Sequence, residues 1–293
     1  MAIIFPGLDV AAPARTILLG SLGFLNDSGL GVRLSGLRLQ GWDGGPASSL
    51  QVTQKLRAPG GWSSADPQLT ARTLNLSGFV VGPDAATVIA ACDAIKAAVT
   101  LTETDLTVID EGVEPLTMRV ARQGEVLIDG TPTATVKQFS IGLVAADPRK
   151  FGTEQTQTTA LPSATGGITV PFTVPFAINS TVVTGQISMT NSGTMAGPVT
   201  ARVTGPAPAG GIITHTSDLG TRVLSVNLPL GVGEWVDIDM EAETVLAQGQ
   251  ASRSQWVNSR GFAAFDPGVN TWSFSAPATS AATLTITATP ASE

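Results

Sequence analysis

Along the first half of the chain, apolar residues return at every second position in short runs. In GVRLSGLRLQGW (Gly31 to Trp42) the alternation passes through Val32 and Leu34, then Leu37 and Leu39. The change of phase at Gly36 predicts a strand carrying a bulge. LTARTLNLSGFVVG (Leu69 to Gly82) continues with Leu74, Leu76 and Phe79 and predicts another strand. The period then changes. In GPDAATVIAACDAIKAAVT, Val88, Ile89, Cys92, Ile95 and Val99 share one helical face, which predicts a helix over Pro83–Val99. Pro83 suits the first helical position, and Asp84 the positive end of the helix dipole. No other segment reads as a helix. Strands are predicted again at Asp105–Asp110, Glu114–Ala121 and Thr133–Ala145.

Beyond this point only short strands are legible, separated by Gly- and Pro-containing turns. They are Ile187–Thr190, Val199–Thr204, Ile212–His215, Arg222–Val226, Glu234–Asp239, Thr244–Leu246, Thr271–Ser275 and Thr283–Thr287. Eight antiparallel strands with such turns predict a β-sandwich or jelly roll. Between the halves runs TEQTQTTALPSATGG (Thr153 to Gly167), polar and without periodic apolar residues, which reads as a linker or exposed crossover. Charge divides the chain at the same place. There are 12 basic and 15 acidic residues up to Glu154, but 4 and 8 from Gln155 onward. The expectation is an all-β protein with one helix, in two domains, 1–155 and 156–293. Domains of that length bury about 70% of their unfolded surface, enough for separate cores.

Composition removes several classes of function. The formal charge of −7 lacks the basic excess that phosphate binding requires. Tyrosine is absent and aromatics total 5%, which leaves few platforms for stacking bases. A single cysteine, Cys92, excludes an intrachain disulfide framework, and a single histidine, His215, excludes the usual zinc ligand sets. The opening MAIIFPGLDVAAPAR has no basic residue before Arg15 and its apolar run is broken by Pro6, so no secretory signal is read. No apolar stretch is long enough to span a membrane as a helix.

Candidate chemistry is sparse. The G-x-S-x-G elbow, the P-loop, the dinucleotide fingerprint and H-E-x-x-H are all missing. A Ser-His-Asp triad would have to use His215, in GGIITHTSDLG, where a surface or structural role is the alternative. Cys92 sits on the apolar face of the helix and reads as a small buried hydrophobe. In WVDIDMEAET, Asp237, Asp239, Glu241 and Glu243 recur at period 2 and would share one strand face. Clustered carboxylates could hold a hard cation, with Asp237 and Asp239 the metal candidates, or serve a glycosidase; a solvated face opposite Val236, Ile238 and Met240 is the simpler reading. Trp256 and Trp272 could stack on sugar rings, or belong to the core. Trp42 and Trp62 flank the Gly-rich loops GWDGGP and APGGWSSAD and read as turn anchors, because neither loop opens a helix to cradle a phosphate.

Several runs, in order, carry a family resemblance. They are the strand pair around GVRLSGLRLQ, the turn APGGWS, the strand RTLNLSGFVVG, the single helix, and FSIGLVAADPRKFG, in which Asp147, Pro148 and Arg149 form the most specific turn. NSGTMAGPVTARVTGP, LPLGVGEWVDIDMEAETVL and FDPGVNTWSF follow in the second half. In this order they resemble the distal tail proteins of long non-contractile-tailed phages, called minor tail proteins in phages of actinobacteria. That family closes its first domain with an A-x-D-P-R-x-Y turn; here Phe151 stands in the Tyr position. The chain departs from the family in its opening, MAIIFPGLDVAAPARTILLGSLGFLNDSG, which lacks the common start.

The resemblance implies a barrel- or sandwich-like N-terminal domain that builds a homo-oligomeric ring, usually a hexamer. It implies a C-terminal sandwich similar to galectin-like or carbohydrate-module folds, placed outside the ring. It also implies a place at the tail tip of a virion, made in the host cytoplasm. Tail tube protein and a tail-associated hub protein would be the partners, DNA would only pass through the lumen, and no cofactor, enzymatic activity or membrane insertion is expected. Two rival readings differ in class. One is a carbohydrate-binding adhesin that recognises host cell-wall glycans through Trp256 or Trp272. The other is a glycoside hydrolase using Asp237 and Asp239.

Overall fold

The computed structural model of the chain describes residues 15–24, 32–50, 52–63, 68–165, 181–183, 185–277 and 280–293. The chain divides into two compact units, Met1–Lys150 with Glu293, and Phe151–Ser292, and each contains its own hydrophobic core. The division falls a few residues before the charge break.

The first unit contains β1 (Thr16–Leu19), β2 (Leu22–Phe24), β3 (Arg33–Gln40), β4 (Val52–Gln54), β5 (Gly61–Ser63), β6 (Arg72–Val81), α1 (Ala85–Ala98), β7 (Thr104–Ile109), β8 (Leu116–Asp129) and β9 (Val136–Ala145). Seven of the strands lie antiparallel in the order β2-β1-β7-β8-β9-β6-β3, while β4 and β5 pair only with each other. Strand β8 belongs to both halves of this sheet. Its residues Leu116–Val120 pair with β7, its residues Ala121–Asp129 pair with β9, and the register shifts between Arg122 and Val126. Buried side chains from both halves meet in one core: Ile17, Leu106 and Met118 from one, Leu76, Ile141 and Leu143 from the other. Phe24 and Phe139 close the gap with ring centroids 5.8 Å apart.

The bulge read at Gly36 is present. Gly36 has φ +61, and the pairing of β3 with β6 jumps between Ser35 and Arg38. The extra residue lets Leu34 and Leu39, an odd number of positions apart, both face the core. Strand β6 corrects one expectation. Phe79 points outward and is 41% exposed, while Leu74, Leu76, Gly78 and Val80 form the inward row. Position 78 is crowded, because a Cβ there would lie 2.9 Å from Leu37 Cδ2 and 3.1 Å from the Phe139 ring.

Helix α1 starts two residues later than expected. Asp84 is its N-cap and accepts the Thr87 backbone N–H at 2.8 Å, which leaves Pro83 before the cap and not in the first turn. Val88, Ala91, Cys92 and Ile95 are buried, as is Val99 just past the end. Ile89 is 39% exposed, contrary to the expectation. Each step along a helix turns about 100°, so Ile89 falls off the strip that Val88, Ala91, Cys92, Ile95 and Val99 share.

The second unit begins at the junction strand β10 (Lys150–Phe151). It continues with β11 (Gln155–Ala160), β12 (Ser163–Thr165), β13 (Thr181–Val183), β14 (Gln186–Asn191), β15 (Val199–Thr204), β16 (Gly211–Ser217), β17 (Gly220–Val226), β18 (Trp235–Asp239), β19 (Thr244–Ala247) and β20 (Ala251–Ser252). A 3-10 turn at Ser254–Trp256 precedes β21 (Val257–Arg260), β22 (Gly268–Ser275), β23 (Thr283–Ala288) and β24 (Ala291–Ser292). One sheet has the order β11-β23-β15-β18-β19-β20 and the other β14-β22-β16-β17-β21, all antiparallel. Val203, Ile238 and Ile286 from the first and Ile187, Ile213 and Phe274 from the second share a core, which makes this unit a sandwich. The segment read as a linker contains β11, paired with β23 from Gln155↔Ala288 to Ala160↔Thr283. Its outward threonines hid it: an edge strand with one wet face needs few apolar residues.

The helix strip yields a stability prediction. Ile95→Ala should cost about 2–5 kcal/mol in chemical denaturation, as other large-to-small core changes do. Ile89→Ala should cost less than about 0.5 kcal/mol. Equal effects at the two positions would show that the strip is misplaced.

Candidate functional site

The described residues bring the sequence candidates into separate places. Asp147, Pro148 and Arg149 form a tight turn at the end of the first unit. The Asp147 carboxylate accepts the Arg149 backbone N–H at 3.0 Å and its guanidinium at 3.0 Å and 2.6 Å. Burial alone would raise the Asp147 pKa, but those bonds and the adjacent positive charge outweigh it and hold the carboxyl below its usual range. Lys150 follows directly and is buried. Its ammonium donates to the Trp42 carbonyl at 3.1 Å and lies 5.5 Å from the Trp42 ring centroid. Burial, then the nearby Arg72 charge, lowers its pKa.

Trp42 anchors its loop, as read from the sequence, and is 3% exposed. The side chain of Trp62 lies outside the described residues. Sequence reasoning missed what holds the Trp42 loop. Arg72, itself buried, points one nitrogen, Nη1, at the carbonyls of Gly41, Trp42 and Gly44, at 2.9, 2.9 and 2.6 Å. Nearby, Arg15 forks between Asp43 and Asp110, with contacts of 2.8 and 2.7 Å. Hydrogen bonds to Asp43 and then to Asp110 raise the arginine pKa, and Arg15 in turn lowers that of Asp43. These contacts are made over long sequence separations, which no local pattern records.

Cys92 is buried, and desolvation raises its thiol pKa, so it packs as a hydrophobe. His215 is 1% exposed and belongs to the interior of the sandwich. Its Nε2 lies 2.8 Å from Asn270 Oδ1, and its ring centroid lies 5.0 Å from that of Trp272. The tautomer follows from Asn270. Its Nδ2 donates to the carbonyls of Asp266 and Gly268, and its Oδ1 accepts the Asp266 N–H. Oδ1 therefore also accepts from His215 Nε2–H, and Nδ1 is left as a buried acceptor without a donor. Ser217 and Arg222 contact Asp266 and not the imidazole, so no relay of the Ser-His-Asp kind is assembled.

The acidic run is not one face. The strand ends at Asp239, whose Oδ1 accepts the N–H groups of Glu241 and Ala242 and so starts a turn. Glu241 and Glu243 lie in that turn, and Glu243 has φ +52. Asp237 pairs with Arg202 at 2.6 Å and accepts the Trp235 indole N–H at 3.3 Å. Among the described residues no group of three or more His, Cys, Asp or Glu side chains is placed to hold a metal ion. The tryptophans also separate. Trp272 is fully buried between Phe265 and His215, so its ring cannot meet a sugar, a correction that follows from its inward position on β22. Trp256 is 38% exposed on the 3-10 turn.

What the fold does assemble is the outer face of the six-stranded sheet. The pairing registers place Thr156, Thr287, Thr200, Asp239 and Thr244 in one cross-strand row. Thr158, Thr285, Arg202, Asp237 and Leu246 form the next, and Thr283, Thr204 and Trp235 extend a third. A groove of about 490 Å³ is lined by Thr287, Thr200, Asp239 and Thr244 of the first row and by Thr285, Arg202, Asp237 and Leu246 of the second. Alternating threonines in TLTIT and QTQTT hinted at this face, but which strands stand side by side is a property of topology alone.

No protein-family model and no curated protein matches the chain. Solved structures do. The chain is similar to the Dit protein of SPP1, described as a paradigm of the hub adsorption apparatus in phages infecting Gram-positive bacteria. The TM-score is 0.67 at 13% identity, over 94% of this chain and 98% of that one. A chain of the phage P2 baseplate in its activated conformation with Ca gives 0.46 at 10% identity, over 93% and 97%. The first comparison shows a shared fold through both units.

His215 yields a prediction for acid. Burial, the largest influence, lowers its pKa below the ordinary value of 6.5, only partly offset by Asn270 and Asp266. As pH falls, the unfolded chain takes up the proton first, so stability is full above about pH 6.5 and declines below it. His215 is the sole histidine. The melting midpoint of the second unit should therefore fall between about pH 7 and pH 5, and His215→Gln should flatten that slope. An unchanged slope in the variant would place the acid sensitivity elsewhere.

Proposed function

We propose that this chain is a structural component of a phage tail tip, assembling as a ring that joins the tail tube to the hub. The observation that carries the reading is the fold shared with SPP1 Dit over 94% of this chain, which takes in both of its units. The sequence motifs support it independently, because they run through both halves and close the first unit on the Asp147–Arg149 turn. In this reading the N-terminal domain, 1–155, makes the ring, most simply of six copies. The C-terminal domain, 156–293, stands outside it, DNA passes through the lumen, and the work is mechanical, not enzymatic. Tube protein and hub protein are the partners in the virion.

A closed ring needs one heterologous contact repeated until it closes. Strand β6 offers no pairing edge for such a contact, because it is hydrogen-bonded on both sides, to β3 and β9. Strand β3 ends the sheet among the described residues and keeps one edge free. The β4–β5 hairpin adds apolar surface, with Val52 63% and Leu56 fully exposed.

The expected outcome is a purified full-length protein that forms closed rings in negative stain and has the mass of a small cyclic oligomer, alone or with tube protein. Backbone amides of β3 should exchange more slowly in the ring than in the diluted monomer. A protein that stays monomeric with tube and hub proteins present would overturn the reading. Protection confined to the second unit would move the interface there.

A further inference from the structure

We infer that the outer face of the six-stranded sheet in the second unit is a binding site for a neutral oligosaccharide. The face is built from hydroxyls. Thr287, Thr285, Thr200 and Thr244 line the groove, and at its edge Thr156 lies 3.0 Å from Thr287 and Thr158 lies 2.8 Å from Thr285. Strands about 4.8 Å apart hold these groups in fixed rows, so little ordering remains when a ligand arrives. Each threonine hydroxyl can donate one bond and accept two. A hydroxyl pair therefore keeps one proton and spare lone pairs for a third partner. A sugar, whose own groups both donate and accept, matches such a surface better than a ligand of donors or acceptors only.

The charged groups in the groove sharpen the choice. Arg202 spends Nε on Asp237, and its Nη1 and Nη2 have no hydrogen-bond partner among the described residues. They remain as a planar donor fork beside the Asp237 carboxylate. Asp237 largely cancels the Arg202 charge, and Asp239 adds one negative charge. The groove thus offers donors for neutral hydroxyls and repels polyanions. Leu246 lines its far side, and Trp235, which precedes Asp237 on the same strand face, stands half-buried in the adjoining row with the Arg202 guanidinium 5.6 Å from its ring. These supply apolar surface for the C–H face of a sugar ring. A protein partner is a poorer fit, because interface cores are rich in exposed aromatic and aliphatic groups and this face is mostly threonine.

This site is separate from the exposed Trp256 ring and does not depend on ring assembly. The test uses the full-length protein and immobilised neutral fragments of glucan, galactan and arabinan, with a heparin fragment as the anionic comparison. Binding to at least one neutral fragment is expected, weakened about tenfold or more by Arg202→Met and by Thr285→Val. Thr285→Val keeps shape and burial, so a melting curve like that of the parent protein separates lost binding from lost folding. Three results would overturn the proposal: no neutral fragment bound at millimolar concentration, heparin bound more tightly than every neutral fragment, or binding that survives both substitutions and is lost in Trp256→Ala. Ring formation is read separately by particle mass, so failure here and failure of the assembly reading are distinguishable.

Discussion

Everything in the first unit depends on one strand that passes from one partner to the next. Strand β8 gives its first five residues to β7 and the rest to β9, and the register breaks where it passes from one to the other. Without that passage the chain would have two small sheets, each with an apolar face exposed to water. With it, Met118 and Val120 enter the same core as Ile141 and Phe139. The break has a cost, because residues between Arg122 and Val126 leave the ladder. It is met by Gly124, which takes φ +77 with nothing within reach of its missing side chain. The helix then closes the core with a strip of small and branched residues.

Much of this was legible because strands with one wet face alternate. All eight strands expected in the second half exist there, with ends shifted by a few residues. The failures share a cause: each needed knowledge of a neighbour in space. Phe79 was placed inward because it is apolar, yet the phase of β6 puts Gly78 inward, close against Leu37 and Phe139, and turns Phe79 out. Ile89 was grouped with Val88, but the buried strip is centred between Ala91, Cys92 and Ile95, and Ile89 lies about 100° round the helix from Val88 on the side away from it. The acidic run read as a continuous face because its alternation is perfect in sequence. The turn after Asp239, stabilised by that same carboxylate, ends the strand. The Trp256 and Trp272 pair was indistinguishable by composition, and only the phase of β22 puts one in the core.

Charge is used sparingly throughout, at 13% of residues. In the first unit, cations bind backbone carbonyls as well as carboxylates: Arg72 from β6 and Lys150 from the end of the unit both hold the Trp42 loop. In the second unit the Arg222–Asp266 and Arg202–Asp237 contacts are widely separated, and threonine hydroxyls cover the surface between strands. A surface of this kind keeps its hydrogen-bonding capacity at any salt concentration, because little of it is ionic.

The bulge in β3 has a consequence for unwanted association. A protein made of so many strands, with few charges to keep copies apart, risks stacking edge on edge into fibres. Among the described residues strand β3 is open on one side, yet Gly36 kinks it in mid-course, so a straight strand laid against it can match its groups on one side of the kink only. A partner must carry a complementary bend. The same irregularity that aligns Leu34 and Leu39 on the core thus acts as a filter at the surface, admitting a shaped neighbour and refusing the indiscriminate growth of an extended sheet.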